Sequence, residues 1–154
     1  MRGFLFCVCA ILNFAIYCLH TLIFSFVYCV LVVFNKEHLM SIAEISKQFH
    51  ADKRGNCAMS VAYGYARATG KSEAEAMDVA ETFRNFGGGK APNGSCGALY
   101  AAKMMQPDHA DAIEDFFKRG AQNFTKCSEI RPNKIIPCNR CVELAGEALD
   151  FLEK

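Results

Sequence analysis

From Ser41 onward, apolar residues recur at helical spacing, and no stretch alternates with period two for long enough to predict a strand. Ile42, Ile45 and Phe49 share one face of a short helix over Ser41–Phe49. Asn56 caps a second helix that runs to Thr69, with Cys57, Val61, Tyr65 and Ala68 on its apolar face and Gly70 as its stop. Ser72-Glu73-Ala74-Glu75 is a capping box that opens a third helix, with Ala76, Val79, Ala80, Phe83 and Phe86 as its buried stripe and Gly87 at its end. A fourth helix follows Cys96 and runs to about Met105, where Pro107 breaks it. Pro107-Asp108 restarts a long helix whose apolar face is Ile113, Phe116, Phe117, Gly120, Phe124 and Cys127, which sets Cys127 near the C-terminal end. Pro137-Cys138 opens the last helix, with Cys138, Cys141, Val142, Ala145, Ala148, Leu149 and Leu152 on one face. The pattern predicts an all-α domain, a compact bundle of five to six short helices over residues 40–154.

The first 39 residues follow a different rule. Gly3 to Phe34 holds no Asp, Glu, Lys or Arg. As one helix it is longer than the ~30 Å core of a bilayer, which predicts an apolar N-terminal helix and a single-pass membrane protein through residues 3–34. The stretch lacks the small-residue exit site of a cleaved signal peptide. A competing reading takes Met40 as the start of translation, which gives a cytoplasmic protein without the leader. The predicted organisation is thus an apolar leader over 1–39 and a helical domain over 40–154. Of the 17 basic residues only Arg2 precedes Phe34, so the rest of the chain, with 16 acidic residues, is formally neutral. That balance gives no electrostatic basis for binding nucleic acid.

Nine cysteines change the picture. Cys7, Cys9, Cys18 and Cys29 lie in the leader; Cys57, Cys96, Cys127, Cys138 and Cys141 lie in the domain, at predicted helix ends. Cys96 follows Gly87-Gly88-Gly89-Lys90-Ala91-Pro92-Asn93-Gly94-Ser95, a glycine-rich loop that feeds a helix. Unpaired backbone N–H groups at a helix start stabilise a thiolate, so Cys96 is expected to have the lowest thiol pKa of the five. Cys138-Asn139-Arg140-Cys141 is a CxxC at a helix start, where one thiolate can attack and the other resolve the mixed disulfide. No strand feeds it, so a thioredoxin fold is not expected, and Val142 in place of His argues against covalent haem attachment. Gly87-Gly88-Gly89-Lys90 lacks the Ser or Thr and the preceding strand of a phosphate-binding loop. His50 and His109 read as surface residues. Tyr63, Tyr65 and Tyr100 read as core.

Cys96-Gly97-Ala98-Leu99-Tyr100-Ala101 resembles the CGAxxG motif of the redox-active proteins named C_GCAxxG_C_C after their cysteine pattern, with Ala101 in place of the last glycine. Asn56-Cys57-Ala58 resembles that family's first cysteine segment, and Phe86-Gly87-Gly88-Gly89 its glycine run. Cys127-Ser128-Glu129-Ile130 is similar to the third cysteine segment, and Cys138 fits the fourth; Cys141 is an addition. The resemblance implies a small redox-active or cofactor-binding protein, with Cys57, Cys96, Cys127 and Cys138 as its core and Cys141 as a resolving thiol.

Thiol/disulfide exchange or electron transfer through Cys57, Cys96, Cys127, Cys138 and Cys141 is therefore the first functional expectation, with a redox protein as partner. Gly87, Gly88, Gly89 and Gly97 are the candidate cofactor-binding positions. The second reading is a thiolate-bound metal or an iron–sulfur cluster on Cys57, Cys96, Cys127 and Cys138. The third is a structural domain held by disulfides.

Overall fold

The computed structural model describes residues 40–153. The chain divides between Leu39 and Met40 into two units. The leader helix read from residues 3–34 lies outside the described residues. Among the described residues no helix is long and apolar enough to cross a membrane.

The domain is all-α, as its periodicity predicts. Its helices are α1 (Ile42–Ala51), α2 (Cys57–Ala68), α3 (Glu73–Glu81), α4 (Gly97–Met105), α5 (Ala110–Gly120), α6 (Cys127–Ile130) and α7 (Cys138–Leu152), with single 3-10 turns at Arg84–Phe86, Pro92–Gly94 and Pro107–His109. Six are two turns or longer and α6 is a single turn. The capping residues act as their types dictate. Ser41 and Glu44 form a capping box on α1, Ser72 and Glu75 another on α3. Asn56 Oδ1 accepts from the N–H groups of Ala58 and Met59, which fixes the start of α2 and with it Cys57.

Helix α2 is the hub. It packs against α1, α3, α4 and α7, and its residues from Cys57 through Gly64 are all buried. Small side chains make this possible: a methyl group built on Gly64 would stand 2.0 Å from Ser46 Oγ on α1, so only glycine allows the two helices to approach this closely. Gly146 on α7 meets Ala43 in the same way, with the imagined methyl 2.5 Å from the Ala43 Cα. Asp150 near the end of α7 closes the α1–α7 contact. Its carboxylate oxygens accept from the backbone N–H groups of Ile42 and Ala43 at 2.8 and 3.0 Å, an N-terminal cap supplied from another helix.

Three boundaries differ from the sequence reading. Helix α3 ends at Glu81 rather than Gly87, and the chain continues through the Arg84–Phe86 turn. Proline at 107 opens a 3-10 turn, and α5 itself begins at Ala110. The third difference bears on the site. Helix α5 stops at Gly120, because Gln122 and Asn123 adopt left-handed φ values of 52° and 66°. Cys127 is therefore not at the C-terminal end of a long helix; it is the first residue of α6.

Candidate functional site

Four of the five domain cysteines are the first residue of a helix or one turn beyond it, and the fifth, Cys96, is the residue just before α4. They belong to different elements: Cys57 to α2, Cys96 to the loop entering α4, Cys127 to α6, and Cys138 and Cys141 to α7. All five are free thiols; Cys57, Cys96 and Cys141 are buried, Cys127 is half-buried and Cys138 is exposed.

The fold gathers these helix starts at one place. The Cys96 N–H donates to the Thr125 carbonyl at 2.8 Å, and Ser95 pairs with Lys126, so the segment before α4 lies along the segment before α6. Gly97 sits against Cys57: a methyl built on it would be 3.0 Å from Cys57 Sγ and 2.5 Å from the Phe86 carbonyl oxygen. Gly89 lies against Cys127 Cβ at 3.0 Å by the same measure, with a φ of 85° that disfavours any side chain. Gly87 backs onto the Asn56 side chain, and the Gly88 N–H faces the Cys57 sulfur. The four glycines singled out in the sequence thus form the backbone wall around Cys57 and Cys127.

Each buried thiol at the centre faces a partner on α7. Cys57 faces Cys138. Contact with the Cys138 thiol lowers the Cys57 pKa to about 6, against the opposing effect of burial, with help from the Gly88 N–H and the charge of His50. Cys138 is pushed up correspondingly, first by that same contact and then by burial. Cys96 faces Cys141. Its thiol is lowered mainly by Cys141, and also by the N–H groups of Leu99 and Ala98, while Cys141 is raised by Cys96. Cys127 has no such partner; burial and the nearby Cys96 thiolate push it up, opposed by Arg131.

Two expectations need correcting. The largest depression falls on Cys57 rather than Cys96: both face a thiol donor, but the Cys57 thiolate works against Cys96, and the glycine-rich approach does not offset this. The members of the CxxC also turn away from one another as partners. Helical spacing directs Cys138 to α2 and Cys141 to the start of α4, giving two cross-helix pairs in place of one local pair.

Arg131 and His50 act on the site thiols although neither is read as a site residue from sequence, His50 being read there as a surface residue. Arg131 stands four residues after Cys127, one helical turn on, and its backbone N–H donates to the Cys127 carbonyl at 3.1 Å, so that spacing could have pointed to it; His50 reaches Cys57 only through the tertiary fold. Tyr63 and Tyr100 are core residues as expected: Tyr63 stacks on Phe49 with ring centroids 4.2 Å apart, and Tyr100 lies against Phe86 at 4.8 Å.

Among the described residues no group of three or more His, Cys, Asp or Glu side chains stands in an arrangement that could hold a metal ion. In comparison with known proteins, no protein-family model, no curated protein and no solved structure matches this chain.

Proposed function

We propose that this domain is a thiol/disulfide redox protein that stores electrons in two cross-helix pairs, Cys57–Cys138 and Cys96–Cys141. One observation carries the reading: the fold sets cysteines of different elements face to face, Cys57 with Cys138 and Cys96 with Cys141, each pair close enough for thiol-to-thiol hydrogen bonding that favours one ionised member. That is the starting arrangement for disulfide chemistry, in which a thiolate attacks and a second sulfur completes the bond. Each pair loses two electrons when its disulfide forms, with two protons where both thiols are protonated and one where the lowered thiol is already ionised, and regains them on reduction. The resemblance of the Cys96-Gly97-Ala98 segment to the C_GCAxxG_C_C proteins points the same way.

The test is a peptide map of the oxidised protein without reductant. Mild oxidation is expected to give two disulfides, Cys57–Cys138 and Cys96–Cys141, with Cys127 left free. A map dominated by Cys138–Cys141 would overturn the cross-helix assignment. Metal analysis of the anaerobically purified chain addresses the cluster reading in the same preparation: stoichiometric iron with charge-transfer absorption would replace the dithiol reading with a bound cluster.

A further inference from the structure

Two thiols reach the surface: Cys138, which faces Cys57 within its pair, and Cys127, which stands outside both pairs. Cys127 lies in a cleft of about 510 Å³ whose wall includes Gly88, Gly89, Gly94, Ser128 and Arg131. The three glycines all have left-handed φ, and a methyl on Gly88 or Gly94 would meet nothing within 4 Å. One wall of the cleft is thus bare backbone, open enough to admit a ligand beside the sulfur. Arg131 is its charged side chain, and it reaches the Cys127 thiol. Behind the wall, the N–H of Gly88 faces the Cys57 sulfur, while Gly89 packs on Cys127. The dipeptide Gly88-Gly89 therefore lies against both thiols, and Cys57 is near enough for its charge to act on Cys127.

We propose that this cleft is the port of the redox site, where a small carboxylate-bearing disulfide docks on Arg131 and exchanges with Cys127, which relays to the Cys57–Cys138 pair. The proposal rests on the dithiol reading above. A guanidinium presents a planar fork of donors that fits a carboxylate, and an open cleft with this one charge selects an anionic ligand over a cationic one.

The chemistry balances without a further reactant. Cys127 loses its proton to solvent and attacks one sulfur of the ligand R–S–S–R. The ligand S–S bond breaks, Cys127–S–S–R forms, and R–S⁻ leaves and is protonated. The Cys57 thiolate then attacks the Cys127 sulfur and releases the second R–S⁻. Cys138 displaces Cys127 from the Cys57 sulfur, which closes Cys57–Cys138 and restores the Cys127 thiol. The ligand disulfide is reduced to two thiols, and two protein thiols are oxidised to one disulfide. Because burial holds Cys127 protonated, the first step quickens as pH rises.

The experiment uses the full reduced chain with two probes: glutathione disulfide, which carries carboxylates, and cystamine, which carries ammonium groups. Mass spectrometry of Cys57→Ser is expected to find the glutathione adduct trapped on Cys127. In Cys138→Ser the relay stops one step later, at a Cys57–Cys127 disulfide. Arg131→Gln is expected to slow the reaction with glutathione disulfide about fivefold, as for loss of one exposed ion pair, and to leave the cystamine rate unchanged. An adduct on Cys138 in the Cys57→Ser protein, or equal slowing of both probes in Arg131→Gln, would overturn the port. Diamide, a general oxidant, separates the two claims. If it closes both pairs while glutathione disulfide leaves Cys127 untouched, the port is wrong and the dithiol reading stands. If diamide closes neither pair, the dithiol reading falls and takes the port with it.

Discussion

Gly97 Cα packs directly against the Cys57 sulfur, so closely that a Cβ would stand 3.0 Å from Sγ and 2.5 Å from the Phe86 carbonyl oxygen. The glycine of the Cys96-Gly97-Ala98 segment is there for space, not for backbone freedom, since it lies in the first turn of α4. Gly97→Ala is expected to destabilise the domain by about 1–3 kcal/mol, the usual cost of overpacking. Because the displaced atoms include Cys57 Sγ, the same substitution should raise the Cys57 pKa. Urea denaturation gives the first effect and ultraviolet thiolate absorption against pH the second. Unchanged values for both would contradict the packing described here.

Asp150→Asn tests the cap that α7 supplies to α1. The carboxylate accepts from two N–H groups at the positive end of α1. Asparagine keeps the size but loses the charge and one acceptor oxygen, for an expected loss of about 1 kcal/mol. The measurement is the denaturation midpoint; screening by salt should reduce the difference between the two proteins.

Ser46 is the opposite case. Its hydroxyl is fully buried, pressed toward Gly64, and has no hydrogen-bond partner among the described residues. A buried donor without a partner costs roughly 1–3 kcal/mol. Ser46→Ala is therefore expected to leave stability unchanged or raise it, and a loss above about 1 kcal/mol would show that the hydroxyl has a partner.

The reduced domain should be most stable near the ordinary thiol pKa of 9.0. Cys57 ionises at about 6 in the folded chain and near 9.0 once unfolded, so between those values the unfolded chain binds the extra proton and stability rises with pH. Above that range the signs reverse. Cys127, Cys138 and Cys141 are raised in the fold, so the unfolded chain gives up protons that the folded one retains, and stability falls. Denaturation midpoints from pH 6 to pH 10 under strict reducing conditions should trace a maximum. A flat profile would mean that the thiols do not interact. Cys57→Ser should shrink the rising limb to the part that Cys96 contributes.

Much of the fold is legible in the chain because its signals are local. Ser41, Asn56, Ser72 and Pro137 mark helix starts by their own chemistry, and those starts stand where the residues put them. The end of α5 is less legible. Gln122 and Asn123 turn left-handed without glycine or proline, so the apolar spacing through Phe124 and Cys127 reads as one helix when it belongs to two. The site divides in the same way. That Cys57, Cys96, Cys138 and Cys141 sit at helix starts follows from sequence, while the start at Cys127 is hidden by the same continuous apolar spacing. Which cysteine faces which depends on how α7 lies across α2 and α4, and nothing within Cys138-Asn139-Arg140-Cys141 records that. The order of the thiol pKa values was lost with the pairing, since a facing thiol matters more to Cys57 than its own helix end.

Cys138 and Cys141 stand one turn apart on α7, while Cys57 and Cys96 belong to separate elements. The start of one helix is therefore a member of both pairs. On the proposed pairing, whichever disulfide closes first would clamp that turn in place and hold the other two sulfurs at an effective concentration of about millimolar or above. The second closure is then easier than the first, and reopening either bond loosens the support of the other. On that pairing the domain would act as a cooperative store with two states, empty and full, four electrons apart. A partially charged form would be scarce at equilibrium, and a titration against a redox buffer would be steeper than that of two independent disulfides.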